Sequence, residues 1–375
     1  MFENHAVWLT SKRSALQLGP APYTRPASNE IVVRNRAVAI NPLDWLLQSV
    51  GDIIYPWLHY PLILGSDVAG EVVETGAAVT RFKVGDRVLG HAVGSDKDRN
   101  ASSEGGFQRF TVLLEHMASP IPGNMPFEHA AVLPLGLSTA ASALFQRDML
   151  ALEHPAYPAH PAKKANKTVL VWGGSTSVGC NAIQLAAAAG YKVIATASHN
   201  NREYLQELGA SAVFDYRGKS AIADIVRAMK GQELAGALAI GDGAAGACVD
   251  IASQCEGNRF VVFATPQIAM DRIIAPRSNL LRFIPAMIGF IAANAAVAIK
   301  ARVSGVRTKF VFGSSLKQNE VSKLIYEEFL PGALEQARYR PAPLPLVAGH
   351  GLASIVQAVA LHRQGVSARK VVVTL

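Results

Sequence analysis

A glycine-rich turn at residues 173–179 is the part of the sequence whose residue types and spacing point most directly to chemistry. An apolar β-branched run at residues 169–171 precedes it. An amphipathic helical pattern that includes Ile183 and Leu185 follows it, and a second apolar run occupies residues 193–197. A strand, glycine turn, helix and strand within about thirty residues predict a βαβ unit that binds a dinucleotide across its first turn. The pyrophosphate is expected at the helix N-terminus, where unpaired N–H groups and the helix dipole favour an anion.

The turn departs from the usual G-x-G-x-x-G pattern at its middle position. Gly174 and Gly179 match the outer glycines, but Thr176 stands where the second glycine lets the backbone approach the pyrophosphate. Hydroxyls in the turn can compensate by donating hydrogen bonds to phosphate oxygens. A plain βαβ crossover without a ligand is the alternative, and three hydroxyls beside two glycines argue against it. The predicted phosphate-binding residues are Gly174, Ser175, Thr176, Ser177, Val178 and Gly179.

The residues after the second strand indicate which dinucleotide binds. NAD sites place Asp or Glu there, to hold the ribose 2′-hydroxyl. This chain has Ser198, His199, Asn200 and Asn201 instead, so no carboxylate repels a 2′-phosphate and several donors can bind one. The sequence therefore predicts NADPH as the cofactor. Tyr216, after a predicted strand, is a further candidate contact to the adenosine, although it fits the ordinary end of a strand equally well.

Composition limits the class of protein. A chain of 375 residues with 50% hydrophobic content is long enough for two domains with substantial cores. Three cysteines are too few for a disulfide framework, and the N-terminal residues lack a secretory signal pattern, so a cytoplasmic location is expected. The net charge of +8 comes from scattered basic residues, which does not favour nucleic-acid binding. A polyanionic cofactor or an acidic partner that carries the substrate explains the sign of the charge equally well.

One uncharged apolar stretch, residues 283–299, must be weighed against a membrane span. Its length is at the short edge of the roughly 17–25 residues that cross a bilayer, and it contains Pro285 and Asn294. The favoured interpretation is a helix of a soluble protein, either buried along an elongated apolar substrate channel or placed at a subunit interface. Membrane insertion is therefore not expected.

The order of patterns along the chain predicts two domains of α/β class. Strand-like patterns and turns dominate before residue 120, with helical patterns at residues 127–133 and 138–150. Residues 154–166 are rich in Pro and Ala and indicate a surface excursion. Apolar strand patterns then recur at residues 212–214, 238–240, 260–264, 309–312 and 370–375. This predicts a β-rich domain at residues 1–135, a Rossmann-type parallel-sheet domain at 136–315, and a C-terminal return at 316–375 that completes the first domain.

At this point the motifs resemble a known family over essentially the whole chain. The motifs are Asn41-Pro42-x-Asp44, Leu64-Gly65-Ser66-Asp67-x-Ala69-Gly70, Val84-Gly85-Asp86-Arg87-Val88 and the turn at 173–179. They resemble the medium-chain dehydrogenase/reductase superfamily, in particular fungal "zinc-binding alcohol dehydrogenase domain" proteins and the trans-acting enoyl reductases of polyketide pathways. The resemblance implies a GroES-like β-rich catalytic domain beside the Rossmann domain. It also implies a polyketide synthase or acyl carrier protein as a partner.

The zinc in that family label does not match the residues. Zinc members of the superfamily use a cysteine and a Gly-His-Glu motif in the N-terminal domain. Here that motif reads Gly65-Ser66-Asp67, and the first cysteine in the chain is Cys180. The histidines His59, His91, His116 and His129 form no H-x-x-x-H pair. A zinc site needs thiolate or imidazole ligands at fixed spacing, so no metal is predicted.

Without a Lewis acid, the favoured reaction is hydride delivery to an activated alkene, whose own conjugation carries the charge. The resemblance implies that Asn41 and Asp44 lie near the nicotinamide. Many enoyl-reducing relatives carry a lysine two residues after this Asp as a proton donor, and Leu46 stands there instead. Tyr60 is one candidate donor, and none of the candidates stands out by spacing; the predicted catalytic residues are Asn41, Asp44 and Tyr60. The alternative donors are His59, Tyr55 and His91.

The resemblance also implies cofactor contacts outside the glycine turn, each of which fits ordinary packing as well. They are Pro42, Trp45, Thr139, Phe263, Ala264, Val366 and Ser367. The predicted function is an NADPH-dependent, zinc-free reductase of an enone or enoyl thioester in secondary metabolism. A quinone or carbonyl reductase and a non-catalytic NADPH-binding protein are the alternatives. The sequence leaves open whether the apolar substrate is free or tethered to a carrier, and whether the protein is a monomer or a homodimer.

Overall fold

A computed structural model describes residues 2–155, 166–268 and 280–375. The chain divides into two compact units, named unit 1 (Met1–Ser138 with Lys317–Leu375) and unit 2 (Thr139–Leu316). Most of the surface excursion predicted at residues 154–166 lies outside the described residues.

The elements of the described chain are given in chain order. The strands are β1 (Asn4–Leu9), β2 (Leu16–Ala21), β3 (Glu30–Ala39), β4 (Leu62–Ile63), β5 (Asp67–Thr75), β6 (Arg87–His91), β7 (Phe110–Leu114), β8 (Ala118–Pro120), β9 (Lys167–Trp172), β10 (Lys192–Ala197), β11 (Ala212–Asp215), β12 (Glu233–Ala239), β13 (Phe260–Phe263), β14 (Arg307–Phe310), β15 (Leu344–His350) and β16 (Arg369–Thr374). The α-helices are α1 (Pro42–Ile54), α2 (Phe127–Ala130), α3 (Pro134–Phe145), α4 (Ser177–Ala188), α5 (Arg202–Glu207), α6 (Ala221–Ala228), α7 (Ala244–Ala252), α8 (Leu280–Val303), α9 (Glu320–Lys323), α10 (Leu330–Glu335) and α11 (Ser354–Gln364).

Unit 1 is built on a seven-stranded sheet with the order β15-β16-β3-β5-β6-β8, in which β7 also pairs with β3. A separate three-stranded sheet has the order β2-β1-β4. Inward-facing residues such as Val33, Val38, Val68 and Val88 are fully buried and form one apolar core with Phe107. Burial of these β-branched and aromatic side chains is the main force that stabilises the sheet.

The register of this sheet brings polar residues to one end. β3 ends at Ala39, which pairs with Asp67 at the start of β5 and with Val372 on β16. Asp67 in turn pairs with His91 at the end of β6. The residues that flank these positions therefore meet at one edge, and Asn41 follows β3 directly there.

Unit 2 contains a six-stranded, fully parallel sheet with the order β11-β10-β9-β12-β13-β14. The chain starts in the middle at β9, moves outward through β10 and β11, and then crosses to β12. The strand order reverses between β9 and β12, where ligands of open α/β sheets bind beyond the carboxyl ends of the strands. This sheet and the β-rich unit 1 confirm the predicted α/β class.

The apolar helix α8 differs from the prediction, because nearly all of its described side chains are at least partly exposed. Residues Phe283–Val303 have a mean hydropathy of 1.7, and none of the most apolar window is buried inside the protein. Ile288 and Ile291 are about three-fifths exposed (61% and 60%). Among the described residues, contacts are made by its C-terminal half: Ala301 is buried, Lys300 forms a 2.5 Å ion pair with Asp250, and the Asn294 side-chain oxygen accepts from the Gln267 N–H at 3.3 Å. The helix is long and apolar enough to cross a membrane by length and composition. Its exposure does not match burial along a channel within this chain, and its placement at a subunit interface stays a prediction.

Candidate functional site

The glycine turn joins β9 to α4 and is closed by its own side chains. Gly173 has a φ of 85°, which favours glycine. Thr176 is the N-cap of α4: its hydroxyl accepts from the Gly179 N–H (3.0 Å) and donates to the Gly173 carbonyl (2.8 Å). The one proton of the Thr176 hydroxyl is used inside the turn, and a contact of Thr176 with phosphate stays a prediction.

The two outer glycines are required by close approach. A Cβ at Gly179 would lie 2.3 Å from the Gly173 carbonyl oxygen, and one at Gly174 would lie 2.7 Å from the Leu205 side chain. The helix start therefore packs directly on the turn, which places the first N–H groups of α4 around a small cradle.

The cradle fits an anion. The Ser177 hydroxyl oxygen is buried and has no hydrogen-bond partner among the described residues. It stands in the first turn of α4, at the positive end of the helix dipole. A buried unpaired hydroxyl is costly unless a ligand satisfies it. Ser177, together with neighbouring Ser175 and Val178, would hold a dinucleotide pyrophosphate through hydroxyl and backbone N–H groups.

The end of β10 offers hydrogen-bond donors without a carboxylate. Asn201 donates its side-chain N–H to the Ser198 hydroxyl at 3.2 Å, which leaves the Ser198 proton available to another acceptor. His199 and Asn200 are exposed. Uncharged donors at this position suit a 2′-phosphate better than a bare hydroxyl.

The sequence analysis did not predict two features at the carboxyl ends of the unit 2 strands. Arg217 lies over the ring of the exposed Tyr216, with its guanidinium carbon 5.4 Å from the ring centre. A second glycine turn follows β12, and a Cβ at Gly173 would lie 2.4 Å from the Ile240 carbonyl oxygen in it. Gly241 and Gly243, both with positive φ, were the available signal, because glycines after a buried strand mark a close backbone approach.

Phe263 and Ala264, predicted as cofactor contacts, are partly buried at the end of β13. The Phe263 ring packs edge-on against Phe310, 5.5 Å between centres, and the Ala264 N–H donates to the Ala239 carbonyl at 3.0 Å. Packing accounts for their positions, and their contact with a cofactor stays a prediction.

In unit 1, Asp44 is a buried carboxylate that holds the start of α1. Its oxygens accept from the Asn41 N–H (2.7 Å) and the Gly65 N–H (3.1 Å). Pro42 occupies the first helical turn, where its missing N–H has no cost. Burial raises the pKa of Asp44 to about 7, an effect that the two backbone donors oppose. Both oxygens are therefore engaged with the backbone, and Asp44 positions the loop that carries Asn41.

Asn41 belongs to a buried ion-pair cluster, named the Asn41 cluster, with Asp67 and Lys370. The Asn41 amide donates to Asp67 at 2.8 Å, while the Lys370 ammonium donates to the Asn41 carbonyl oxygen and lies 2.8 Å from Asp67. The other oxygen of Asp67 accepts from the Leu135 N–H at 2.6 Å, in the first turn of α3. The side chain of Lys370 is 4% exposed and that of Asp67 is fully buried. Sequence analysis missed Lys370, which lies 329 positions from Asn41.

His91 is the only alternative proton donor that the described contacts bring to this end of the sheet. Its Nδ1 lies 2.9 Å from the Ser138 hydroxyl, which lies 2.7 Å from the Tyr326 hydroxyl. Burial lowers the pKa of His91 to about 4, so the imidazole is neutral at pH 7. Thr139, a predicted nicotinamide contact, directly follows Ser138 on α3 and is buried.

The other tyrosine and histidine candidates lie elsewhere in unit 1. Tyr60 is partly buried and packs on the apolar core of this unit. Tyr55 stacks on Trp57 at 4.7 Å, and burial raises its pKa to about 12. His59 is exposed and its Nδ1 lies 3.1 Å from the Asn100 amide. The ring contact of Tyr55 and the imidazole contact of His59 lie within residues 55–100, and the role of Tyr60 as proton donor stays a prediction.

Trp45 contacts α11. Its indole N–H donates to Nδ1 of His362 at 3.2 Å, and burial lowers the pKa of that histidine to about 4. Trp45 thereby lines a groove of about 420 Å³, together with Leu16, Gln48, Val356, Val359, Ala360, Arg363 and Gln364. Val366, which is partly buried, and exposed Ser367 follow α11, and their predicted cofactor contacts stay predictions.

Comparison with known proteins decides the family. The model of the alcohol dehydrogenase GroES-like domain matches residues 27–123, and that of the zinc-binding dehydrogenase matches residues 177–281. The chain is 50% identical to "Dehydrogenase pigH" of Monascus ruber over 99% of both chains. The chain belongs to the medium-chain dehydrogenase/reductase superfamily. Its predicted Rossmann-type and GroES-like domains are thereby confirmed.

A more distant relative and a solved structure match the whole chain. "Trans-enoyl reductase himH" of Aspergillus japonicus is 35% identical over 99% of this chain and 97% of its own. The crystal structure of CurK enoyl reductase superposes with a TM-score of 0.70, at 20% identity, over 99% of both chains, which shows a common fold. The chain is accordingly an oxidoreductase with the nicotinamide dinucleotide-binding fold of the superfamily.

The zinc of the family description does not fit the residues at the Asn41 cluster. Asp67 is engaged through both oxygens by an ammonium and two N–H donors, and neighbouring Ser66 offers only a hydroxyl. The three cysteines are all buried in unit 2. Within the described residues, no group of three or more His, Cys, Asp or Glu side chains can hold a metal ion. Zinc requires thiolate or imidazole ligands, so these residues do not fit a zinc ion.

Proposed function

We propose that the protein reduces the conjugated carbon–carbon double bond of an enone or enoyl thioester with NADPH, in secondary metabolism. The proposal rests on the observation that both carboxylate oxygens of Asp67 are already engaged by protein groups. In the place of the superfamily's zinc-ligand motif stands a carboxylate already bound to Lys370, Asn41 and the Leu135 N–H. No Lewis acid is built there to polarise an isolated ketone or alcohol. A conjugated acceptor needs less help, because charge from the incoming hydride spreads to its carbonyl oxygen.

NADPH is preferred to NADH because the adenosine side of unit 2 offers donors and a cation. Ser198 and Asn201 stand where an NAD site carries a carboxylate, and Arg217 stacks on Tyr216 at the end of the next strand. Guanidinium groups bind phosphate through paired N–H donors.

The reaction balances with one hydride and one proton. When bound, the dinucleotide supplies a hydride from nicotinamide C4. Addition of the hydride to the β-carbon moves the double-bond electrons to the carbonyl oxygen, and a proton added at the α-carbon gives the saturated product. Asn41 donates to the carbonyl oxygen, Asp44 holds the loop that carries Asn41, and Tyr60 supplies the proton. Orientation of the reactants and exclusion of water provide the rest of the rate enhancement.

The substrate is an apolar acyl compound, either free or tethered to an acyl carrier protein of a polyketide synthase. An acidic carrier complements the net charge of +8. Three unpaired cysteines suit a cytoplasmic protein. The names of relatives such as the trans-enoyl reductase of Aspergillus japonicus support this class of substrate.

The test is a single-turnover screen of the protein loaded with NADPH. Stopped-flow absorbance follows NADPH oxidation after mixing with a trans-2-decenoyl thioester of N-acetylcysteamine, a long-chain enone, a quinone or decanal. Fast oxidation by the thioester or the enone is the expected result. Oxidation by the quinone or decanal alone would replace this proposal with a quinone or carbonyl reductase. Binding of NADPH without oxidation by any acceptor would indicate a non-catalytic protein.

A further inference from the structure

Lys370 is a buried cation whose role the superfamily motifs do not explain. An ammonium with 4% of its side chain exposed is unfavourable unless it is paired and hydrogen-bonded. Among the described residues, Lys370 is partnered by the Asp67 carboxylate at 2.8 Å and by the Asn41 carbonyl oxygen. It projects from β16, where residues 370–373 are all buried.

The ion pair fixes the orientation of the Asn41 carboxamide. An ammonium only donates and a carboxylate only accepts, so the Asn41 oxygen must face Lys370 and its nitrogen must face Asp67. The flipped amide would place an N–H against the ammonium and an oxygen against the carboxylate. The amide nitrogen has two N–H donors, of which Asp67 accepts one. No hydrogen bond from the second N–H to another described residue is formed.

We infer that Lys370 is a positioning residue: it holds and polarises the Asn41 amide so that the free N–H binds the carbonyl oxygen of the acceptor. This inference rests on the proposed function. An ammonium bonded to the amide oxygen draws electron density from the nitrogen and strengthens its N–H as a donor. A fixed donor aimed at an oxygen that gains negative charge lowers the barrier without reorganisation during the reaction.

A simpler role for Lys370 is to neutralise Asp67 in the core. A double variant that removes both charges distinguishes the positioning role from the neutralising role, because only the neutralising role predicts that its kcat recovers. Asp67→Asn/Lys370→Met removes both charges, so it relieves the uncompensated carboxylate that Lys370→Met leaves behind. It does not restore a cation at the Asn41 oxygen. Arg99→Met is the matched control, because it also leaves partly buried carboxylates, those of Glu30 and Glu104, without their cation in the same unit.

The experiment measures kcat, KM and the NADPH dissociation constant of these variants with the trans-2-decenoyl thioester, and their urea unfolding without cofactor. We expect Lys370→Met to lower kcat about 100-fold, with NADPH affinity within about twofold of wild type. The double variant recovers stability but not kcat, Lys370→Arg recovers part of kcat, and Arg99→Met loses stability alone. Recovery of kcat in the double variant would leave Lys370 with the neutralising role and overturn the inference.

A double-mutant cycle with Asn41→Ala separates action through Asn41 from a direct effect. Lys370→Met/Asn41→Ala should turn over no more slowly than Asn41→Ala, and the two substitutions should be non-additive in unfolding free energy without cofactor. Independent effects in both readouts would overturn the inference. If wild-type protein oxidises NADPH with none of the acceptors, the proposed function fails, while non-additive unfolding would still report the Lys370–Asn41 contact.

Discussion

The glycine turn of unit 2 and the Asn41 cluster of unit 1 differ in how they are encoded. The turn is seven consecutive residues whose conformation follows from three glycines and an N-cap threonine. The cluster joins residues 26 and 329 positions apart along the chain. The turn is therefore a property of local backbone geometry, whereas the cluster exists only when the sheet of unit 1 has formed. Substitutions should reflect this: local changes affect cofactor binding, and changes at the cluster affect chemistry.

Tyr60→Phe tests whether the chemistry of unit 1 extends beyond the Asn41 cluster. Loss of a general acid lowers kcat by about 100-fold or more, so we expect a loss of that size with an unchanged NADPH dissociation constant. Steady-state kinetics with the decenoyl thioester measure it. Tyr55→Phe, at the tyrosine that stacks on Trp57, is the comparison and should retain activity. A Tyr60→Phe protein as fast as wild type would remove Tyr60 from the mechanism.

Gly179→Ala tests the local character of the turn. The added methyl would lie 2.3 Å from the Gly173 carbonyl oxygen, so the turn and the start of α4 must shift. We expect a loss of about 1–3 kcal/mol in unfolding free energy and about tenfold weaker NADPH binding. Fluorescence titration and urea unfolding measure these. Gly123→Ala, where a Cβ meets nothing within 4 Å, is the control. Equal NADPH affinities in the two variants would contradict the proposal that the cradle binds the cofactor.

Ser198→Asp tests the cofactor preference at the same edge of the sheet. A carboxylate there repels the 2′-phosphate, so the ratio of NADPH to NADH affinity should fall by about tenfold or more. Ser198→Asn is the matched uncharged variant and should keep the preference. Competitive titrations at one salt concentration give the ratio. Tighter binding of NADH than NADPH by wild-type protein would contradict the assignment.

Asp44→Asn tests the electrostatics of unit 1 through pH. Burial raises the Asp44 pKa to about 7 in the folded protein, above its unfolded value, so the folded state binds the extra proton. Its contribution to stability is present at low pH and is lost as the pH rises through 7. Asparagine does not titrate, so the stability of the variant should fall less than that of wild type between pH 5 and 8. Urea unfolding at the two pH values measures this, and identical pH slopes would contradict the raised pKa.

The sequence predicted the elements that depend on local patterns. The unit of β9, the glycine turn, α4 and β10 has the predicted order, because apolar runs and glycines report directly on backbone conformation. Helix α1 was missed, although Asn41, Pro42 and Asp44 supply an N-cap, an N1 proline and an acidic third position. The region before residue 120 was interpreted from its strand-like hydrophobic patterns, and these helix-start signals were not used.

Contacts between residues that are far apart along the chain could not be predicted from the sequence. Nothing in the sequence around Lys370 indicates that it pairs with Asp67 and Asn41. The stacking of Arg217 on Tyr216 likewise depends on the turn that follows β11. The apolar content of α8 predicted burial, yet Ile291 is 60% exposed, because composition reports what a helix can bury and not what covers it.

Transfer of deuterium from NADPH that carries ²H at the transferable C4 position tests the central claim most directly. The protein is incubated with this cofactor and the trans-2-decenoyl thioester, and the product is analysed by mass spectrometry and NMR. The account predicts a saturated thioester with one deuterium at the β-carbon and a solvent-derived proton at the α-carbon. Deuterium at the carbonyl carbon, with an aldehyde or alcohol as the product, would contradict reduction of the conjugated double bond.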